Sequence, residues 1–249
     1  MPGVISYPIE HGNRASAGRT LRPDEMAHIA ELPLFVGLAP DLLAIALAEA
    51  TLLRCQCSEM LFHQGGHPHF LHVVVDGEIG MYGIGCEGEE TVVDILKRGD
   101  IFITAAALTG RPYLMSAKAV SPARVLLLPA ERLRRDLQAV PELAIAIICG
   151  LATNFRTMVR EVKQLKLKTA AQRLGIYILS LTPRRSGMAV VWLPHSKSLI
   201  AARIGIRPET LSRTFCTLRD LGVQVCGAKI IVEDVECLTA FCSQDEEIM

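Results

Sequence analysis

The sequence predicts an α+β fold made of a β jelly roll, one long helix and a small winged helix-turn-helix. Three observations carry this. Short β-rich runs separated by turn residues fill the stretch from Thr51 to Pro129. Residues 141–167 hold apolar residues in alternating steps of three and four with no internal proline. Between Ser196 and Asp220, Ala201, Gly205 and Leu211 stand at the small, turn and core positions that two closely packed helices require. At 249 residues, half of them apolar and 21% charged, the chain is long for a single core, and two domains are expected.

Residues 1–22 are rich in Gly, Ser, Arg and Pro without sustained periodicity, and 1–31 is read as an N-terminal extension. From Pro23 the pattern turns helical, and Ala39-Pro40-Asp41 opens a second apolar-periodic run through Leu47 and Ala50. The expected strands are Met60–Phe62, Phe70–Val75, Ile79–Tyr82, Thr91–Leu96, Met115–Val120 and Arg124–Leu128. Gly65-Gly66, Asp76-Gly77, Glu87-Gly88 and Arg98-Gly99-Asp100 separate them, and Asp76-Gly77 between alternating runs predicts a hairpin. Close, regular spacing of this kind suits a jelly roll over 32–140.

Pro141 sits where a first-turn proline is tolerated and opens the helix 141–167. Within it Ile148, Leu151, Phe155, Met158, Val162 and Leu165 form a heptad seam of nearly three repeats. Packing onto the chain's own β-domain is one outlet for that stripe. A parallel two-stranded coiled coil is the other, and the strict spacing favours it, predicting a homodimer. The second domain, 168–249, begins with a helix to Leu181. It breaks at Pro183–Gly187 and resumes as a strand at Ala189–Leu193.

Formal net charge is zero, yet Lys168 to Ile230 holds ten Lys/Arg against two acids, while the tail from Ile231 holds six acids and no base. A basic segment hidden in a neutral average fits a phosphate footprint, and a solvated charged face gives the same count. Pro208 opens a helix from which Glu209, Ser212 and Arg213 project on one face, next to Arg207. Arginine pairs bidentately with guanine, glutamate accepts from cytosine N4, and serine meets a base edge or a phosphate. Lys197, Arg203, Thr210, Arg219 and Lys229 are placed to meet phosphates of double-stranded DNA. Val223–Val225 and Ile230–Val232 around Cys226-Gly227-Ala228-Lys229 read as a wing, closed by a helix over Val235–Phe241.

In this order of elements the chain from about Leu32 to Phe241 resembles the CRP/FNR regulators, with a cyclic-nucleotide-binding-type jelly roll. Leu167-Lys168-Thr169-Ala170-Ala171-Gln172-Arg173-Leu174 and the run Leu193–Ala201 are most similar to the Dnr-like subgroup of nitric-oxide and denitrification regulators. Glu209, Ser212 and Arg213 match the family's Glu-x-x-Ser-Arg readers. The resemblance implies recognition of TTGA-type inverted repeats, one half-site per subunit, with RNA polymerase as a further partner.

The sensor half departs from the family's ligand patterns. Gly99-Asp100-Ile101-Phe102-Ile103 has no ribose-binding glutamate, and Arg111 is followed by Pro112, which argues against cyclic AMP. The first of eight cysteines is Cys55, already inside the β-domain, which argues against a four-cysteine iron–sulfur cluster. Without CxxC pairs, zinc ribbons and disulfide scaffolds are also disfavoured. His63, His67, His69 and His72 lie within ten residues, a density that fits a haem or metal, with solvated loop histidines as the alternative. Alternation puts His69 and His72 on opposite faces unless Pro68 bends the chain. Phe102, Ile103, Leu108 and Met115 could line an effector pocket or simply form core. Cys216, near Arg213, is a candidate redox site or a packed thiol.

A cupin-like metalloenzyme would use His67-Pro68-His69 but lacks the following glutamate and the later histidine, so no catalysis is expected. A ligand-binding module acting on protein partners is disfavoured by the Glu209, Ser212, Arg213 face. No stretch approaches the roughly 20 apolar residues that span a bilayer, Ala144–Ala152 being the longest candidate, so a soluble cytoplasmic protein is expected.

Overall fold

The computed structural model describes residues 19–85 and 88–243. The first 18 residues of the expected extension, Cys86 and Glu87 of one expected turn, and the last six residues of the acidic tail lie outside the described residues. The chain divides into two compact units, one ending at Asn154 and the next beginning at Phe155.

The N-terminal unit opens with β1 (Arg19–Thr20), α1 (Pro23–Ala30) and α2 (Pro40–Leu47). There follow β2 (Thr51–Cys55), β3 (Met60–Phe62), β4 (Phe70–Asp76), β5 (Ile79–Ile84), β6 (Glu90–Leu96) and β7 (Ile101–Phe102). The unit continues with α3 (Thr104–Thr109), β8 (Ser116–Ala119), β9 (Ala123–Pro129) and α4 (Ala130–Ala139). Two antiparallel sheets, ordered β1-β2-β9-β4-β7 and β3-β8-β5-β6, make the expected β-sandwich. The first sheet is covered on both faces. Leu71, Val73 and Val75 of β4 join Ile29, Phe35 and Leu126 in one core, while Val74 joins Ile79, Met81 and Val125 in another. Successive side chains leave a strand on opposite faces, so one β-branched run supplies both layers.

The sequence pattern found this strand, which Pro68 and Gly77 bound, but missed others. In β2, Leu52 enters the helix-side core and Leu53 and Cys55 the inter-sheet core, so Thr51–Cys55 shows no polar alternation. The two-residue strands β1 and β7 are too short to show a period. Arg19 and Thr20 pair with Leu52 and Thr51, and Ile29 of α1 is fully buried in the core, although both stretches read as extension.

Asp76-Gly77 is not a hairpin turn. Strand β4 pairs with β9 and β7, whereas β5 pairs with β6 and β8, so the turn is a corner carrying the chain from one sheet to the other. Gly77 has φ +77°, and any Cβ there would run into the Pro122 carbonyl oxygen. The same Asp-Gly chemistry serves both geometries, and only the partners of the flanking strands distinguish them.

Helix α5 (Pro141–Leu167) is 27 residues long, and its first turns bury Leu143 and Ile147 in the N-terminal core. Its most apolar 18 residues have a mean hydropathy of 1.4, so by length and composition one segment does reach the threshold for a membrane span, correcting the sequence expectation. Further along, the helix carries Arg156, Arg160, Glu161, Lys163 and Lys166, the composition of an amphipathic seam.

The C-terminal unit adds α6 (Ala170–Ser180), β10 (Ala189–Trp192), α7 (Lys197–Arg203), α8 (Pro208–Arg219), β11 (Val223–Cys226), β12 (Lys229–Val232) and α9 (Val235–Ser243). Its core gathers Leu174, Ile178, Ile200, Leu218, Ile230 and Leu238, each at most 1% exposed. Thr169 starts α6 with a capping box. Its hydroxyl accepts from the Gln172 amide at 3.3 Å, and the Gln172 side chain accepts from the Thr169 amide at 2.8 Å.

One turn later Arg173 donates Nε to the Ile204 carbonyl at 2.7 Å and Nη1 to the Lys168 carbonyl at 2.8 Å. It thereby ties the end of α5 to the turn after α7. Replacing Arg173 by Met should destabilise the unit by about 2 kcal/mol, the scale of hydrogen bonds to a charged group. Urea unfolding followed by far-UV circular dichroism measures this, and an unchanged midpoint would show the clamp to be idle.

Candidate nucleic-acid interface

Helices α7 and α8 form the tight pair expected from Ala201, Gly205 and Leu211. Ser196 caps α7, accepting from the Leu199 amide at 3.3 Å. Ala201 is fully buried, which lets α8 approach α7 closely, and the Ile206 amide reaches back to its carbonyl at 3.0 Å. Gly205 in the turn has φ +68°, and that backbone demands glycine; a Cβ there would meet only Cδ2 of the exposed Leu165 side chain, which can move aside. Pro208 begins α8 at its first turn, where no amide hydrogen is missed.

Leu211, Thr214, Phe215 and Leu218 form the buried face of α8. Glu209, Ser212, Arg213 and Cys216 recur on the other face and are all exposed, with Arg207 exposed just before the helix. The four base-reading candidates are thus brought together at one helix end. Lys197 is exposed at the start of α7, Arg203 half-buried at its end, and Arg219 exposed at the end of α8. Lys229 is half-buried on the wing, opposite Trp192 and Cys226. Thr210 is half-buried, and its carbonyl accepts from the Thr214 hydroxyl at 2.8 Å.

Trp192, which sequence reading did not single out, is 67% exposed beside the wing. The signal was available: Val191 must point into the core, so alternation turns the chain's only tryptophan outward.

Along the seam, Ile148, Phe155, Met158, Val162 and Leu165 are exposed, between 45% and 66%. Leu151 is half-buried against the N-terminal core, so the stripe's first half is shared with the chain's own jelly roll.

In the sensor half, His63, His67 and His69 are exposed and only His72 is buried. Among the described residues no three His, Cys, Asp or Glu side chains group as metal ligands. The His72 ring lies 5.1 Å from Phe62 and 5.0 Å from Phe102, centroid to centroid, and its Nδ1 has no hydrogen-bond partner. Rings this close leave no space for a macrocycle beside the imidazole, so His72 does not fit a haem. Burial pushes the imidazole down to about 3, the Phe70 backbone opposing weakly. Below the ordinary value of 6.5 the unfolded chain takes a proton that the folded chain refuses, so His72 removes stability as pH falls from 6.5 toward 3. Between pH 7.5 and 5.5, wild type should lose about 1.4 kcal/mol more than His72→Phe in urea unfolding. Equal losses would refute the buried neutral imidazole.

Residues 52–139 match the cyclic nucleotide-binding domain family and residues 172–241 the Crp-like helix-turn-helix domain family. A Ruegeria pomeroyi protein, named as a candidate cyclic nucleotide binding protein, has a crystal structure 32% identical to this chain. The match covers 88% of this chain and 96% of that one, with a TM-score of 0.59. The chain belongs to the CRP/FNR family of transcription regulators. Among curated CRP/FNR relatives, the cyclic AMP receptor protein of Thermus thermophilus is 27% identical over 77% of this chain and 87% of its own length. The nitrogen fixation regulation protein FixK of Azorhizobium caulinodans is 32% identical over 61% of this chain and 62% of its own.

In this CRP/FNR regulator the segment between β7 and α3 has its own geometry. Asp100, the only carboxylate of Gly99–Leu108, has Oδ2 accepting from the Lys97 amide at 2.7 Å. Ile103 holds φ +66° at the start of α3, a left-handed conformation that a β-branched residue rarely adopts. Phe102, Ile103 and Met115 pack in the inter-sheet core and Leu108 in the helix-side core, so the four apolar residues do not converge on one pocket.

Proposed function

We propose that this CRP/FNR regulator is a homodimer that reads TTGA-type inverted repeats with Arg207, Glu209, Ser212 and Arg213 and adjusts transcription through contact with RNA polymerase. The single observation that carries the reading is the exposed placement of Glu209, Ser212 and Arg213 on a helix whose other face is committed to the core, with Arg207 exposed at its N-cap. Arg213 pairs with guanine, Glu209 accepts from cytosine, and Lys197, Arg203, Arg219 and Lys229 hold phosphates without regard to sequence. The exposed seam of α5 joins the two copies and sets the half-site spacing. A cytoplasmic location accords with that role.

For the sensor half we propose control by something other than cyclic AMP or an iron–sulfur cluster, because neither ligand pattern is present in the sequence. The segments 167–174 and 193–201 support the Dnr-like subgroup, but His72, enclosed by Phe62 and Phe102, offers no place for a haem.

The test is a titration of fluorescent duplex carrying the TTGA repeat, at two salt concentrations, beside absorption spectra with and without haemin. Tight, salt-sensitive preference for the repeat, with the spectrum of added haemin left as that of free haemin, is the expected result. No preference over scrambled duplex would sink the half-site assignment. A Soret band shifted and sharpened relative to free haemin, and lost in His72→Phe, would overturn the exclusion of haem at His72.

A further inference from the structure

The C-terminal unit contains a cleft of about 710 Å³ where the second half of α5 diverges from α6 and α9. That size lies within the roughly 300–1,000 Å³ of sites that enclose small organic ligands. Its lining combines two chemistries. Arg156, Arg160, Lys163 and Lys168 supply four cations, and among the described residues no aspartate or glutamate lines the cleft. Val159, Leu167, Ile176 and Leu179 supply an apolar wall.

The cations sit one turn apart along α5, at positions 156, 160 and 163. In the heptad register of the seam, Arg156, Arg160, Lys163 and Leu167 lie outside the two seam positions, so pairing of two copies covers the cleft edge at the seam residue Phe155 and leaves the side that carries these four residues open. The floor is closed by the buried Cys242, and the Lys168 ammonium is buried as well. Leu167 is 61% exposed, so a strongly apolar side chain beside these charges is not used by the unit's own core.

We infer that this cleft binds an amphiphilic carboxylate, a soluble fatty-acid-like anion whose chain lies on Val159, Leu167, Ile176 and Leu179 and whose headgroup is held by Arg156 and Arg160. Planar guanidinium groups match a carboxylate with two parallel hydrogen bonds, and the apolar wall gains by losing contact with water. A neutral amphiphile of equal length meets the wall but not the charges. The inference is independent of the half-site assignment, because the cleft uses none of the residues on the exposed face of α8.

The experiment is isothermal titration of the full chain with dodecanoate below its micellar concentration, compared with dodecan-1-ol. One site per chain is expected, with the alcohol at least tenfold weaker and the double variant Arg156→Glu/Arg160→Glu losing at least tenfold for dodecanoate. Both substituted positions are exposed, and an unchanged thermal melt of the variant confirms that its fold is intact. Equal affinity for acid and alcohol, or full retention by the variant, would overturn the proposal in favour of adsorption to the apolar seam. Dissociation of a dimer in proportion to dodecanoate bound would overturn it too, since the wall would then belong to the contact between copies. A failure to recognise TTGA duplex leaves all these readouts unaffected.

Discussion

Replacing Arg213 by alanine is expected to lower affinity for a TTGA inverted repeat by roughly 5- to 150-fold per half-site, the range set by one bidentate arginine–base pair. Binding to scrambled duplex should hardly change. The asymmetry follows from geometry: Arg213 is on the exposed face of α8, opposite the buried Leu211, Thr214, Phe215 and Leu218, so its loss leaves the core intact. Arg213→Lys should not restore the preference, because a point charge cannot reproduce the two-pronged contact. Lys197→Ala should instead weaken repeat and scrambled duplex alike and reduce the salt slope by about one unit. Fluorescence anisotropy at two salt concentrations reads all three variants. Equal losses on repeat and scrambled duplex for Arg213→Ala would reassign this residue to the phosphate backbone.

The second large effect is expected at the seam. Met158→Glu with Val162→Glu should convert a dimer to monomers, weakening self-association by more than a thousandfold. Each of these exposed side chains would give up the roughly 1.5–3 kcal/mol of a fully buried aliphatic contact, in both copies. Like charges would also face one another across the two-fold axis. Both residues are exposed in the single chain, so the fold of the monomer should persist. Sedimentation velocity checks the mass, and circular dichroism checks the fold. A variant that still sediments as a dimer would refute the coiled-coil reading and return the stripe to other partners.

Much of this protein was legible in its sequence wherever a local rule acts alone. Pro141, the three-four spacing and the absence of proline before Pro183 define α5 as it stands, from Pro141 to Leu167. Ala201, Gly205 and Leu211 place the helix pair because each answers a steric demand within a few residues. The strand runs were found wherever the chain alternates or is bounded by glycine. Thr51–Cys55 was missed because it follows the apolar run of α2 with no glycine or proline between them, whereas β4, buried on both faces as well, is bounded by Pro68 and Gly77.

The candidate site divides in the same way. The exposure of Glu209, Ser212 and Arg213 follows from helical periodicity once Leu211, Phe215 and Leu218 are taken as core. The histidine cluster could not be resolved from spacing: His63, His67 and His69 are exposed, and His72 alone faces the aromatic interior. The grouping of Phe102, Ile103, Leu108 and Met115 failed because α3 sends Leu108 to a different core layer from the other three.

By itself, then, the sequence determined the order of the domains, the helix pair and the outward-facing Glu209, Ser212 and Arg213, because capping, turn chemistry and periodicity are written over a few neighbouring residues. Only the tertiary structure decided that Asp76-Gly77 turns a corner between sheets, that His72 is enclosed by Phe62 and Phe102, and that four cations meet an apolar wall beside α6. Those features depend on which distant strands and helices become neighbours, and that is fixed by packing across the whole core.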